Sequence, residues 1–414
     1  MAKSMNILAI APYIDGTDVG EAWCAYRWIK ELSTRGNVTL LAMEREGRKA
    51  LSVQLPNVRV LSKKEPKWVQ RYERLNAMAK LAYPGFYFWA KKQIKELLKT
   101  ETFDVGHQFS PFAIRYPSPL KAFSIPYVLG PFCGSLDTPK NFRKECMSSK
   151  WFTHFRALDQ FRLNFDPFMR ASLKGASAIL GVAPYVKTML GDTALKKFHL
   201  MSELGVSKTS TRFTSSHSQK KSFRLLHVGR GVRTKGLRDV IRALSLLQDL
   251  KCLHLDVAGH GEETEICRQL SITLGVQDRI TFHGQISRRE VDQLYCQADA
   301  FCFPSFREPS GSVIFEALSY GLPIIAANYG GPGHVIDDTC GFKIHVTDPD
   351  QYAADIASAI RTLVSMPMLN KQLSKGAYAK INKIGLWKNK IDTLLNIYEN
   401  IQLPKGDHYV KISD

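Results

Sequence analysis

The sequence has 414 residues, 44% of them apolar, which can bury large cores and favours two or three domains. No run of 18 apolar residues occurs, residues 1–6 lack the apolar core of a secretory leader, and the eight cysteines contain no C-x-x-C pair. A spanning helix, an exported disulfide scaffold and a cysteine metal site are therefore set aside, and a reduced cytoplasmic protein is expected. The net charge of +19 is uneven: residues 1–200 hold 31 basic against 16 acidic side chains, and the remainder 26 against 22, so the first half should meet an acidic partner such as nucleic acid, lipid head groups or a phosphorylated acceptor.

Residues 5–11 (MNILAIA) read as a buried strand, followed by a loop containing Gly16 and Gly20 and an amphipathic helix over about 22–34 that stops before Gly36. Residues 38–42 form a second strand. This is a nucleotide-type turn, yet it lacks G-x-G-x-x-G, so a dinucleotide cofactor is not expected; an ordinary strand-to-helix turn is an equal reading. Residues 63–99 carry ten basic and three acidic side chains, interleaved with Trp68, Tyr72, Tyr83, Phe86, Tyr87, Phe88 and Trp89. Such a stretch can lie on an anionic membrane, stack single-stranded bases, or place its aromatics in a core. His107 ends a strand over 104–107, where a lone histidine is more often structural than chemical. A strand and turn follow at 124–134. Residues 140–175 read as a long basic and aromatic helical region, and strands at about 178–182 and 198–201 close the first half. The hydroxyl-rich residues 206–222 have almost nothing to bury and read as a linker.

The second half opens with a strand at 223–228 and a loop, Gly229-Arg230-Gly231-Val232-Arg233-Thr234-Lys235-Gly236, ahead of an amphipathic helix. Arg230 and Lys235 can converge on one diphosphate, the arginine as a planar fork and the lysine as a mobile point charge. Strands ending at Gly259 and at His283-Gly284 follow. The stretch 301–327 is strand, loop, short helix, strand, with Glu308 and Glu316 bracketing the loop and helix. The amides of Ser310, Gly311, Ser312 and Val313 at the helix start can hold a phosphate, Glu308 can accept from hydroxyls on the group that phosphate carries, and Glu316 can reach a ribose. Helices are expected at about 349–366, 369–383 and 387–401.

Residues 308–323 resemble the signature of the retaining GT-B glycosyltransferases of the family-4 type, in which a Glu, seven residues and a second Glu precede a small-residue helix and a Gly-x-Pro strand. Glu308, Glu316, Ala317, Gly321 and Pro323 match, as does the Arg230, four residues, Lys235-Gly236 arrangement; Pro309-Ser310-Gly311 departs from the commoner Gly-Phe-Gly. The resemblance implies an α/β GT-B fold, two Rossmann-like domains with parallel sheets facing across a cleft. Residues 1–205 would bind the acceptor and be joined by the last helix (387–414), 206–222 would be the linker, and 223–386 would bind a nucleotide sugar. It implies retention of configuration, with no metal or other cofactor beyond a UDP-, GDP- or ADP-sugar as substrate. Glu308, His107, Arg230 and Lys235 would be catalytic, with His107 pointing into the cleft. Gly16, Gly20, Gly229, Gly259, His283, Gly284, Ser310, Gly311, Ser312, Val313 and Glu316 would face the donor. The expected acceptor is a glycan or lipid-linked glycan, reached at the inner face of the plasma membrane through residues 63–99 and 140–174, and nucleic acid is not an expected partner. A small soluble acceptor, a GT-B isomerase or phosphorylase, and a basic nucleic-acid-binding protein are the alternatives.

Overall fold

The computed structural model describes residues 4–72, 76, 79–146, 162–191, 197–210 and 222–402. It holds two parallel sheets. The first is built from β1 (Asn6–Ala11), β2 (Asn37–Glu44), β3 (Arg59–Lys64), β4 (Val105–Gln108), β5 (Tyr127–Phe132), β6 (Ala178–Gly181) and β7 (Phe198–Leu200), in the order β3-β2-β1-β4-β5-β6-β7. The second is built from β8 (Phe223–Val228), β9 (Leu253–Ala258), β10 (Ile280–Gly284), β11 (Ala300–Phe303), β12 (Ile324–Ala327) and β13 (Gly341–Ile344), in the order β10-β9-β8-β11-β12-β13. The central strands are covered on both faces, which is why they read as unbroken apolar runs: every residue from Ile7 to Ala11 is fully buried. Strand order reverses between β1 and β4 and again between β8 and β11. Each reversal leaves a crevice outside the carboxyl ends of the strands, where open α/β sheets bind ligands.

Three readings of the sequence change. The polar β3 was not expected, and it forms because an edge strand tolerates the half-exposed Arg-Val-Leu-Ser-Lys-Lys pattern. The expected long helix over 140–175 begins instead as two 3₁₀ turns, Lys140–Phe142 and Lys144–Cys146, and ends as a helix over Pro167–Gly175 capped by Asp166; its middle lies outside the described residues. The aromatic stretch 63–99 divides. In the helix Tyr83–Leu97, Tyr83, Phe86, Ala90, Ile94 and Leu97 recur every three or four residues and are buried, so this face belongs to the core, whereas Trp68, Tyr72 and Phe88 remain exposed.

The last helix, Trp387–Ile401, returns to the first domain. Trp387 meets Trp28 edge to face at 5.1 Å, Arg35 pairs with Asp392 at 2.7 Å, and the Tyr398 hydroxyl bonds Nδ1 of His107 on β4. The two passages of chain between domains are tied together: the Val206 amide donates to the Gly385 carbonyl at 2.9 Å, and the Trp387 amide donates to the Val206 carbonyl at 3.1 Å. His107 is fully buried, its Nε2 lies 2.8 Å from the Gly130 carbonyl, and burial lowers its pKa from the ordinary 6.5 to about 3.

Trp387→Ala should cost about 3–5 kcal/mol in urea unfolding, since the ring is almost fully buried and packs edge to face on Trp28. A loss under 1 kcal/mol would mean that the last helix is not anchored there. A histidine held neutral in the fold while the unfolded chain protonates below pH 6.5 contributes stability above that pH and loses it as the pH falls toward 3. His107→Phe should therefore be less stable than the parent at pH 7, yet lose about 2 kcal/mol less between pH 7 and pH 5. Equal pH dependence of the two proteins would contradict this.

Candidate functional site

The candidate site is built on the carboxyl edge of the second sheet, at its reversal. After β8 the chain makes a 3₁₀ turn, Arg233–Lys235, that closes at Gly236 with φ of 82°. A Cβ on Gly236 would sit 2.3 Å from the Pro304 carbonyl oxygen, so the turn can lie against the end of β11 only with glycine there. That contact carries the Lys235 ammonium to the Glu308 carboxylate, and the two form an ion pair with both side chains largely buried. Arg230 is exposed and makes no ion pair among the described residues. Gly229, Gly259 and Gly284 stand where β8, β9 and β10 end. The Gly259 amide donates to the Gly284 carbonyl at 2.8 Å, and a Cβ on Gly259 would fall 1.8 Å from the Gly229 oxygen, so these residues let the loops pack in direct contact. His283 is half-buried, with Nε2 2.9 Å from Asp256, a carboxylate that Arg224 also grips bidentately at 2.8 and 2.9 Å.

The helix Ser312–Ser319 opens at Gly311, whose φ of 87° turns the loop into the helix. Its first amides, on Ser312 and Val313, are the donors that an α-helix leaves without internal partners. Glu316 lies on this helix 2.8 Å from Arg288 and 3.3 Å from the Tyr295 hydroxyl. Glu308 and Glu316 thus have separate cationic neighbours, one at each side of the helix. Ser310 is buried and faces the buried Glu203, which sits at the end of the first domain.

In the first domain, Gly16 donates its amide to Gln54 at 2.7 Å and has the Tyr26 ring where a Cβ would be, while exposed Gly20 starts the helix Glu21–Leu32 with φ of 65°. His107 does not point into the cleft as expected. Both ring nitrogens hold protein partners and the ring stacks on Phe109 at 3.7 Å, so it ties β4 to β5 and to the last helix as a neutral group.

Two groups of residues were missed. Lys390, on the last helix, is buried over the Trp28 ring, and burial, opposed by Glu203, brings its pKa down to about 8. Its signal was a lysine inside an otherwise apolar stripe with Trp387, Ile391 and Leu394. Residues 136–146 are the second group. In the sequence, residues 140–146 read as part of a basic surface and 136–139 are not singled out; the segment passes onto the second domain, where Phe142 is fully buried and Glu145 pairs with Arg233. Phe142 is turned inward and cannot face a membrane, whereas Lys140, Arg143 and Lys144 are exposed, as are Phe165 and Phe168; 147–161 lie outside the described residues.

Residues 209–380 match the family model described as glycosyl transferases group 1. The lipopolysaccharide core biosynthesis glycosyltransferase LpsD of Rhizobium meliloti is 30% identical over 178 residues, covering 43% of this chain and 50% of that protein. Spore coat protein SA of Bacillus subtilis is 30% identical over 189 residues, covering 42% and 48%. The chain spans about half the length of the curated relatives it matches. Among solved structures, Anabaena HepE in complex with UDP superposes with a TM-score of 0.65 at 17% identity, covering 96% of this chain and 100% of that one. The lipopolysaccharide outer core galactosyltransferase WaaB in its apo form superposes with a TM-score of 0.66 at 15% identity, covering 96% and 99%. At such identities the likeness speaks of fold, and with two parallel-sheet domains in these strand orders the chain has the GT-B fold, its residues 209–380 carrying the pattern of glycosyl transferases group 1.

Proposed function

We propose that the protein is a retaining glycosyltransferase of the family-4 type that moves a sugar from a nucleoside-diphosphate sugar to a glycan or lipid-linked acceptor without a divalent metal. The observation that carries this reading is the Lys235–Glu308 pair, with Arg230 exposed on the same loop as Lys235, at the reversal of the second sheet inside the segment that matches the family model. The hard step is departure of the diphosphate from the anomeric carbon, with negative charge growing on the β-phosphate. Arg230, Lys235 and the amides of Ser312 and Val313 meet that charge as preorganised donors. Lys235 moves from Glu308 toward the phosphate, and Glu308 is then free to accept from sugar hydroxyls. Glu316 accepts from the ribose in exchange for Arg288. The acceptor oxygen forms its bond to the anomeric carbon on the face the diphosphate leaves, and its proton passes to the departing phosphate oxygen. Support for the nucleotide comes from the HepE structures, which hold UDP and UDP-glucose.

The acceptor would enter at the carboxyl ends of β1, β2 and β3. A cavity of about 480 Å³ there is lined by Tyr13, Asp15, Arg45, Arg48, Gln54 and Glu65, among others. The Tyr13 hydroxyl is buried and has no hydrogen-bond partner among the described residues, and Glu65 is engaged by Arg45 at 3.1 Å, a mixture of fixed donors and acceptors that suits sugar hydroxyls. Exposed Trp68 and Phe88, close in sequence to Lys67, Lys91, Lys92 and Lys95, would rest on an anionic membrane at the inner face. No helix among the described residues is long and apolar enough to cross a membrane.

A panel of UDP-, GDP- and ADP-sugars, read by thermal stabilisation and slow hydrolysis, should identify one donor class. With that donor, Arg230→Ala or Lys235→Ala should lower turnover about 10²–10³-fold; the ligand-free melting temperature should stay near the parent's in Arg230→Ala and fall in Lys235→Ala, which leaves the largely buried Glu308 without its cation, and near-parental turnover in either would remove the assignment. Flotation should favour vesicles containing anionic lipid over neutral ones, and Phe88→Ser should weaken it. Binding indifferent to lipid charge would count against the membrane face.

A further inference from the structure

Beyond β5 the first domain sends a segment onto the second. Gly134 and Ser135 turn the chain with φ of 102° and 53°, and Leu136 is buried. Thr138 Oγ1 accepts from Arg307 at 2.9 Å, and the Asn141 side-chain amide donates to the Thr347 carbonyl at 2.9 Å. Phe142 has no exposed surface. Its ring lies 4.4 Å from Phe306 and 5.5 Å from Tyr352, inside the core of the second domain. Glu145 takes Arg233 Nε at 2.7 Å and Nη2 at 2.5 Å, and Arg242 at 3.2 Å. Burial acts to raise its pKa, yet Arg233 and Arg242 hold the carboxyl below the ordinary range.

These contacts fall on both approaches to the Lys235–Glu308 pair. Arg233 opens the three-residue turn that ends at Lys235, and that turn is closed on itself by bonds from the Lys235 amide to Val232 and from the Gly236 amide to Arg233. A turn this short has no slack, so the orientation of its first residue is passed to its last. Phe306 and Arg307 directly precede Glu308. The segment thus seats one side chain against each arm of the pair, from a domain that contributes neither member.

We propose that residues 136–146 are a positioning strap, with Glu145 and Thr138 as positioning residues that hold Lys235 and Glu308 in register for the leaving diphosphate. The strap is a further element of the site, and this role rests on the donor reading given above. It requires no contact between strap and substrate. Glu145 acts through Arg233, and Thr138 acts through Arg307. Removing the Glu145 charge does not orphan a buried cation, because Asp239 still grips Arg233 at 2.7 and 2.8 Å, so the variant should fold.

The test compares parent, Glu145→Gln, Glu145→Asp and Thr138→Val in the full chain. Calorimetric titration with UDP, GDP and ADP should show the affinity of Glu145→Gln for the preferred nucleotide weakened about tenfold, with turnover down by a similar factor, acceptor KM unchanged, and part of both losses recovered in Glu145→Asp. Thr138→Val should lose less in the same direction. Amide hydrogen exchange of the ligand-free proteins gives a readout independent of any donor: exchange at residues 233–236 and 306–308 should quicken in Glu145→Gln. Unchanged exchange and parental nucleotide affinity in both Glu145→Gln and Thr138→Val would overturn the strap. If the parent bound none of the three nucleotides, the donor reading would fall, and the exchange result would still decide whether the segment orders the two loops.

Discussion

Everything at the candidate site depends on holding a lysine and a glutamate together at a place where water is scarce. Lys235 and Glu308 are each mostly buried, so desolvation opposes both charges, and their mutual attraction has to offset it. The fold meets that demand with rigidity. Gly236 lets the lysine turn press on the end of β11, and Gly311 starts a helix directly after the glutamate loop. In the proposed reaction such a pair would meet an anion. An arriving phosphate would offer the ammonium more charge than one carboxylate does, and the glutamate would stay within reach of the group that phosphate carries.

Much of this was legible in the sequence because spacing along a strand-loop-helix unit translates directly into position at a sheet edge. Arg230 and Lys235 flank one loop, Glu308 and Glu316 flank another, and parallel topology brings both loops to the same edge. The apolar run of β1 and the last helix over Trp387–Ile401 were readable for the same reason, since period and boundary residues are local properties. What stayed hidden was long-range. Nothing local to Phe142 or Glu145 says that they pack on the other domain, and a stretch rich in basic and aromatic residues looks like a surface until its partner is seen. His107 shows the same limit. A strand-end histidine looks available, and only the return of Tyr398 from the far end of the chain reveals that it is enclosed.

The domains are therefore joined by more than their linkers. Glu203 from the first domain, Ser310 from the loop after Glu308 and Lys390 from the last helix are buried within electrostatic range of one another, with Glu308 also in range of Glu203. Burial raises the pKa of Glu203, with Ser310 and then Lys390 acting against the rise, and burial lowers that of Lys390 to about 8, with Glu203 acting against the fall. A cluster of this kind gives little net stability, but it penalises any arrangement of the domains that parts its members.

The two crossings at Val206 and Gly385 are laced by a pair of backbone bonds, which turns two tethers into one seam. A seam permits swinging about its own line far more readily than sliding or twisting across it. Residues 136–146 cross separately, so the two halves of the molecule are joined along one line and again at a second place beside the Lys235–Glu308 pair.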